Sequence, residues 1–192
     1  MKQRKIRSVS TRFETREDGG SLYIEGYFAI FGAEYELWPG AVETVSPGAF
    51  LRTIGGDVRA LCDHDTRLVL GRTKAGTLEL KEDARGLWGR IKINQDDVDA
   101  MNLYSRVQRG DVDQCSFGFD IEKEEMTCRD DGSVHWDIKD VTLYEVSVVT
   151  FPAYEETSVK ARKQEFTEIN KRKLDLWKEQ MRSNLKGENH GT

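Results

Sequence analysis

Three short segments of this chain carry side chains able to do acid–base or nucleophilic chemistry. Histidine is scarce, with only His64, His135 and His190 in 192 residues. His190 lies in a polar tail. His135 adjoins Trp136 in a strand-like run, where a packed or solvent-facing ring is the ordinary reading. His64 differs, because it follows a strand-like run and sits between two aspartates in Leu61-Cys62-Asp63-His64-Asp65. A ring at a strand end is well placed to act as a general base, since an imidazole pKa of about 6.5 lets it gain and lose a proton near neutrality.

The second segment is Asp113-Gln114-Cys115-Ser116-Phe117-Gly118-Phe119. In an extended chain, alternation puts Cys115 and Ser116 on opposite faces, so one can face a cleft and the other the core. A serine hydroxyl becomes a nucleophile only when a base takes its proton, and His64 is the candidate base. Cys115 is a competing nucleophile, because a thiolate also pairs with a histidine. An ordinary strand serine is the plain alternative. The third segment, Leu143–Tyr154, places Glu145 as an acid within an otherwise apolar strand. An unpaired buried carboxylate is costly, so Glu145 requires a partner. A histidine N–H, an arginine or an exposed edge position would each serve. Adjacent residues seldom point at one ion, so Asp63, His64 and Asp65 make a poor metal set.

The elements that must hold these groups read as mostly β. Residues 5–14, 21–31, 57–62, 68–73, 77–82 and 86–93 are strand-like, with turn signals at Glu17–Gly20 and Asp83–Gly86. Ser46-Pro47-Gly48-Ala49-Phe50 predicts a short helix, with Ser46 as cap and Pro47 in the first turn. Residues 95–109 predict a longer one, with Asp96, Asp97 and Asp99 at its start and Gly110 after its end. Long strands over 111–124 and 134–150 flank a turn at Arg129–Gly132, and Pro152 ends the second. Beyond Lys160, Phe166, Ile169, Leu174, Trp177, Met181 and Leu185 recur near helical spacing, predicting an amphipathic helix that ends near Gly187.

Taken in order, Val45-Ser46-Pro47-Gly48-Ala49-Phe50, Asp63-His64-Asp65, Leu70-Gly71-Arg72, Arg85-Gly86-Leu87, Ser116-Phe117-Gly118-Phe119 and Glu145–Tyr154 resemble the prohead proteases of tailed bacteriophages. The resemblance covers about residues 10–160. Each motif alone is weak, and the ordered set is specific. Cys115 stands where a methionine is more usual. The resemblance implies a mainly β fold with peripheral helices: an antiparallel β-barrel like that of the herpesvirus assemblin proteases. It implies a serine endopeptidase acting inside the immature prohead, in the host cytoplasm. Its substrates would be scaffold or major capsid protein, and itself. His64 matches the family histidine and Ser116 the family nucleophile. Glu145 is the third member, with His135 open as the alternative because the herpesvirus relatives use a second histidine there. No metal and no cofactor is implied, and a homodimer is expected by the same analogy. A non-catalytic module that binds scaffold or capsid protein is the competing function.

Composition agrees with such a chain and excludes other classes. No run approaches the roughly 20 apolar residues of a spanning helix. The basic N-terminus lacks the apolar stretch of a secretory signal. Cys62, Cys115 and Cys128 leave one thiol unpaired in any disulfide scheme and form no C-x-x-C pair, which fits a reducing compartment. The net charge of −5 is uneven. Residues 1–16 hold six Lys/Arg and one Glu, and residues 161–192 hold eight Lys/Arg and five Asp/Glu. The organisation read from this is a basic extension (1–16) in which the first strand begins, a protease body (17–160) carrying a net −13, and a helical tail (161–192). The basic ends are expected to be assembly contacts or processing sites, without specific nucleic-acid or membrane binding.

Overall fold

Runs rich in Val, Ile and Phe become strands because alternate side chains can then be buried on one face. The computed structural model describes residues 5–9 and 13–151, with 163–164, 166–169, 171–172 and 174–179. Its strands are β1 (Lys5–Val9), β2 (Glu14–Asp18), β3 (Ser21–Ile30), β4 (Tyr35–Trp38), β5 (Ala41–Val45), β6 (Arg59–Cys62), β7 (Asp65–Arg72), β8 (Leu78–Glu82), β9 (Gly86–Ile93), β10 (Gln114–Cys128) and β11 (Val134–Val149). One helix, α1 (Val98–Arg109), precedes β10. The chain divides into compact units Met1–Tyr154 and Glu155–Thr192. The described residues of the second are helical; Met181, Leu185, Gly187 and His190 lie outside the described residues, as does Pro152. No described helix is long and apolar enough to cross a membrane.

The strands form a seven-stranded sheet around β10 and β11 and a four-stranded antiparallel sheet ordered β2-β3-β9-β8. The fold is mainly β with few helices, but the expected closed antiparallel barrel is not formed. Among the described residues no ladder joins the two sheets. They pack instead through apolar side chains, including Phe13, Phe28, Leu87, Ile91, Phe117 and Val146. The larger sheet is also mixed. Both β5 and β6 run parallel to β11, one beside each half of it. The two therefore lie end to end along one edge of β11, joined by the stretch from Ser46 to Val58, while β10 takes the other edge.

That connecting stretch holds another correction. The predicted helix at Ser46–Phe50 is a series of tight turns, with Ala49 N–H bonding Ser46 C=O and Thr53 N–H bonding Phe50 C=O. Ser46 does not cap it, because its hydroxyl donates to Asp137 Oδ1 at 2.6 Å. The free N–H groups of Gly48 and Phe50 donate to the Glu82 carboxylate instead. The strand expected over 5–14 is observed as β1 over Lys5–Val9, and a separate strand of the other sheet, β2, begins at Glu14 and runs into the expected turn at Glu17–Gly20. The hairpin β4–β5 was not foreseen. By contrast α1 starts where its acids predict. The Asp97 side chain accepts from Asp99 and Ala100 N–H, and Gly110 closes the helix at φ 82°. Buried Ala100, Leu103, Tyr104 and Val107 fix α1, and hence the entry to β10.

Candidate active site

β10 and β11 pair antiparallel, with Ser116 opposite Ser147 and Gly118 opposite Glu145. No register shift lies between those two pairs. Directly opposed residues, and residues two apart on one strand, share a face. Ser116, Ser147 and Glu145 therefore lie on one face, and Gly118 places no side chain beside the carboxylate. Cys115 lies on the other face, where its thiol donates to the Tyr27 carbonyl at 3.0 Å within the core.

β6 runs beside the end of β11, with Cys62 next to Val148. The chain then reverses into β7 through Asp63 and His64, both at positive φ, 47° and 60°. Two such residues make the tight turn that matches strand twist, usually built from Asn and Gly. This reversal carries the His64 ring back over β11. His64 Nδ1 lies 2.7 Å from Glu145 Oε1. The Ser147 hydroxyl donates to Glu145 Oε2 at 2.6 Å. Glu145 and Ser147 are buried, so the charge is met by donors rather than by water. With Nδ1–H given to the carboxylate, Nε2 is the nitrogen left for proton transfer.

Ser116 is fully buried and its hydroxyl donates to the Arg7 carbonyl of β1 at 2.9 Å. β1 lies along the far edge of β10, with Ser8 opposite Ser116. The Arg7 guanidinium is itself buried and bonds Glu43 through Nε at 2.5 Å.

The remaining candidates are elsewhere. His135 lies ten residues before Glu145 on β11, about 33 Å along an extended strand. Its Nε2 is 2.8 Å from Thr44 Oγ1. The aspartates flanking His64 diverge: Asp63 accepts from Thr150 and Asp65 from Arg67. They do not converge on an ion, and no group of three or more metal-ligating side chains occurs among the described residues. Cys62 adjoins the turn, but burial and the neighbouring Asp63 carboxylate push its thiol up to about 11, so it is protonated at neutral pH.

The family described as caudovirus prohead serine protease matches residues 5–172 of this chain. The chain belongs to that family. The prohead protease of Enterobacteria phage HK97 is 29% identical over 157 residues, which are 80% of this chain and 65% of that relative. The chain thus spans somewhat under two thirds of the length of that curated relative. The capsid assembly protease of bacteriophage T4 superposes with a TM-score of 0.48 at 14% identity, over 78% of this chain and 98% of that structure. Within this chain, two contacts have little or no sequence signal. Ser147 could have been found as the residue two after Glu145 on the same strand face. The Arg7–Glu43 pair had no sequence signal.

Proposed function

We propose that this chain is the catalytic endopeptidase of prohead maturation, with Ser116 as nucleophile, His64 as general base and Glu145 as the acid that orients His64. The observation that carries this reading is the common face of Ser116, Ser147 and Glu145, with the His64 ring hydrogen-bonded to that carboxylate. Ser116 Oγ leaves the Arg7 carbonyl, gives its proton to His64 Nε2 and attacks a peptide carbonyl. Glu145 stabilises the imidazolium that forms. The proton passes to the leaving amine, and water then releases the acyl-enzyme.

The substrates are scaffold or major capsid protein in the assembling shell, and the chain itself. A homodimer belongs to the same reading, and sedimentation over a range of concentrations tests it. Catalysis is tested by coexpressing the chain with capsid protein and scaffold. Ser116→Ala should abolish cleavage while Cys115 and Ser147 remain. Cleavage retained by Ser116→Ala would overturn the assignment, and an unaltered protein that never cleaves during shell assembly would favour a purely binding role.

A further inference from the structure

We infer that Asp63 is a positioning residue that bolts the His64 turn to the strand carrying Glu145. The inference rests on the reading of His64 as base. Asp63 makes three bonds to the end of β11. Its N–H donates to the Val148 carbonyl at 3.0 Å. Its Oδ1 accepts from Thr150 N–H at 2.7 Å, and its Oδ2 faces the Thr150 hydroxyl at 3.2 Å. The residue next to it carries the ring, and the strand it grips carries Glu145 five residues before Thr150. The His64–Glu145 distance is therefore set by the clamp as well as by the ring's own bond.

The turn needs such help. His64 occupies a positive-φ position that favours glycine, and a non-glycine residue there is held only where its surroundings over-determine it. β7 pairs with β6 and with no other strand in the described sheet. Without the carboxylate contacts, the β6 ladder and the Asp63 N–H bond still hold the hairpin to β11, but the turn beyond Cys62 that carries the ring is less tightly fixed. A misplacement of about 1 Å in a catalytic group can cost on the order of 10²-fold in rate.

Asp63 could instead serve only to form the turn, and glycine separates the two roles. Asp63→Gly relaxes the backbone at φ 47° and leaves the exposed Thr150 groups to water, so the fold should hold. It removes the carboxylate clamp. Asp63→Asn suits the turn and keeps an oxygen for Thr150 N–H. The full chain is treated with diisopropyl fluorophosphate, in which Ser116 Oγ attacks phosphorus, fluoride leaves and the proton passes to His64. The far-downfield proton of a carboxylate-bound His64 Nδ1–H is followed by NMR in the same proteins.

Asp63→Gly should label roughly 10²-fold more slowly and lose the downfield proton. Asp63→Asn should keep the proton and label within about tenfold of the unaltered chain. A glycine variant with an unchanged labelling rate and an intact downfield proton would overturn the clamp. If Ser116→Ala labels like the unaltered chain, or neither labels, the catalytic reading of Ser116 fails. The NMR proton of Asp63→Gly then still decides the clamp, because it does not depend on turnover.

Discussion

Each oxygen of the Glu145 carboxylate has its own task, and the two tasks predict different losses. Oε1 holds the ring and Oε2 receives the Ser147 hydroxyl. Glu145→Gln replaces a carboxylate by an amide that can no longer stabilise the imidazolium or enforce the tautomer. Its kcat should fall by roughly 10³–10⁴-fold, the scale seen when a triad carboxylate becomes an amide. Ser147→Ala leaves the carboxylate on His64 and removes one supporting bond, so its kcat should fall by about tenfold. Steady-state cleavage of a capsid-derived peptide distinguishes them, and equal losses would show that the two bonds act as one unit. Cys62 gives a pH prediction. Its thiol is raised from 9.0 to about 11, chiefly by burial. The neutral form is favoured by folding, so this contribution to stability is complete below pH 9 and is lost as pH rises from 9 to 11. Cys62→Ala should flatten that alkaline loss in urea titrations. In the folded unaltered chain, iodoacetamide should modify Cys62 far more slowly at pH 8 than it modifies an unfolded thiol.

At the scale of elements, β9 must lie close to β3, and two glycines allow it. A Cβ on Gly86 would meet the Ala29 carbonyl oxygen at 2.0 Å, and one on Gly89 would meet Phe28 and Leu80 side chains at 2.6 and 2.8 Å. The Gly86 neighbour is backbone and cannot turn aside. Gly86→Ala should therefore destabilise by about 1–3 kcal/mol, read as a lower urea midpoint with the slope unchanged. Gly89→Ala should also destabilise, since Leu80 can yield but the fully buried Phe28 ring, the nearest neighbour, cannot turn aside freely. The hairpin β8–β9 was legible in the sequence because Asp83–Gly86 is a strong turn signal between alternating runs. The helix α1 was legible from acids at its start and Gly110 at its end. The β4–β5 hairpin was not, because its strands are short and carry Glu36 and Glu43. The Ser46–Phe50 helix failed because a distant acid, Glu82, took the capping role. In the site, His64 stood out as a rare residue at a strand end and Glu145 as an acid in an apolar run. Asp63 as a clamp was invisible, since its partner Thr150 is 87 residues away and the parallel β6–β11 register cannot be read from local pattern.

At the scale of the whole molecule, the acidic body and the basic N-terminal extension meet at Ser116. β1 comes from the basic N-terminal extension, yet its Arg7 carbonyl accepts the Ser116 hydroxyl. If Ser116 is the nucleophile, as proposed, the Arg7–Ser8 peptide lies against the reacting hydroxyl, and a substrate strand must displace β1 or be β1. Arg7 is held by Glu43, whose buried partner would be costly to leave alone, so the resting arrangement resists casual opening. Removing the segment by cleavage takes away the cover on Ser116 irreversibly. The reading of this chain as its own substrate therefore predicts loss of mass from within residues 1–16 as shells mature, with the basic C-terminal tail as the second place to look. Intact-mass spectrometry of the chain recovered from matured shells should show the shortened N-terminus, and Ser116→Ala should keep the full mass. Both ends intact in an active protein would reject self-processing and leave β1 as a permanent strand of the sheet. A deletion of residues 1–9 adds a check on direction: if β1 is a cover, the shortened chain should label faster with diisopropyl fluorophosphate, and if β1 is structural, it should label more slowly and unfold at lower urea.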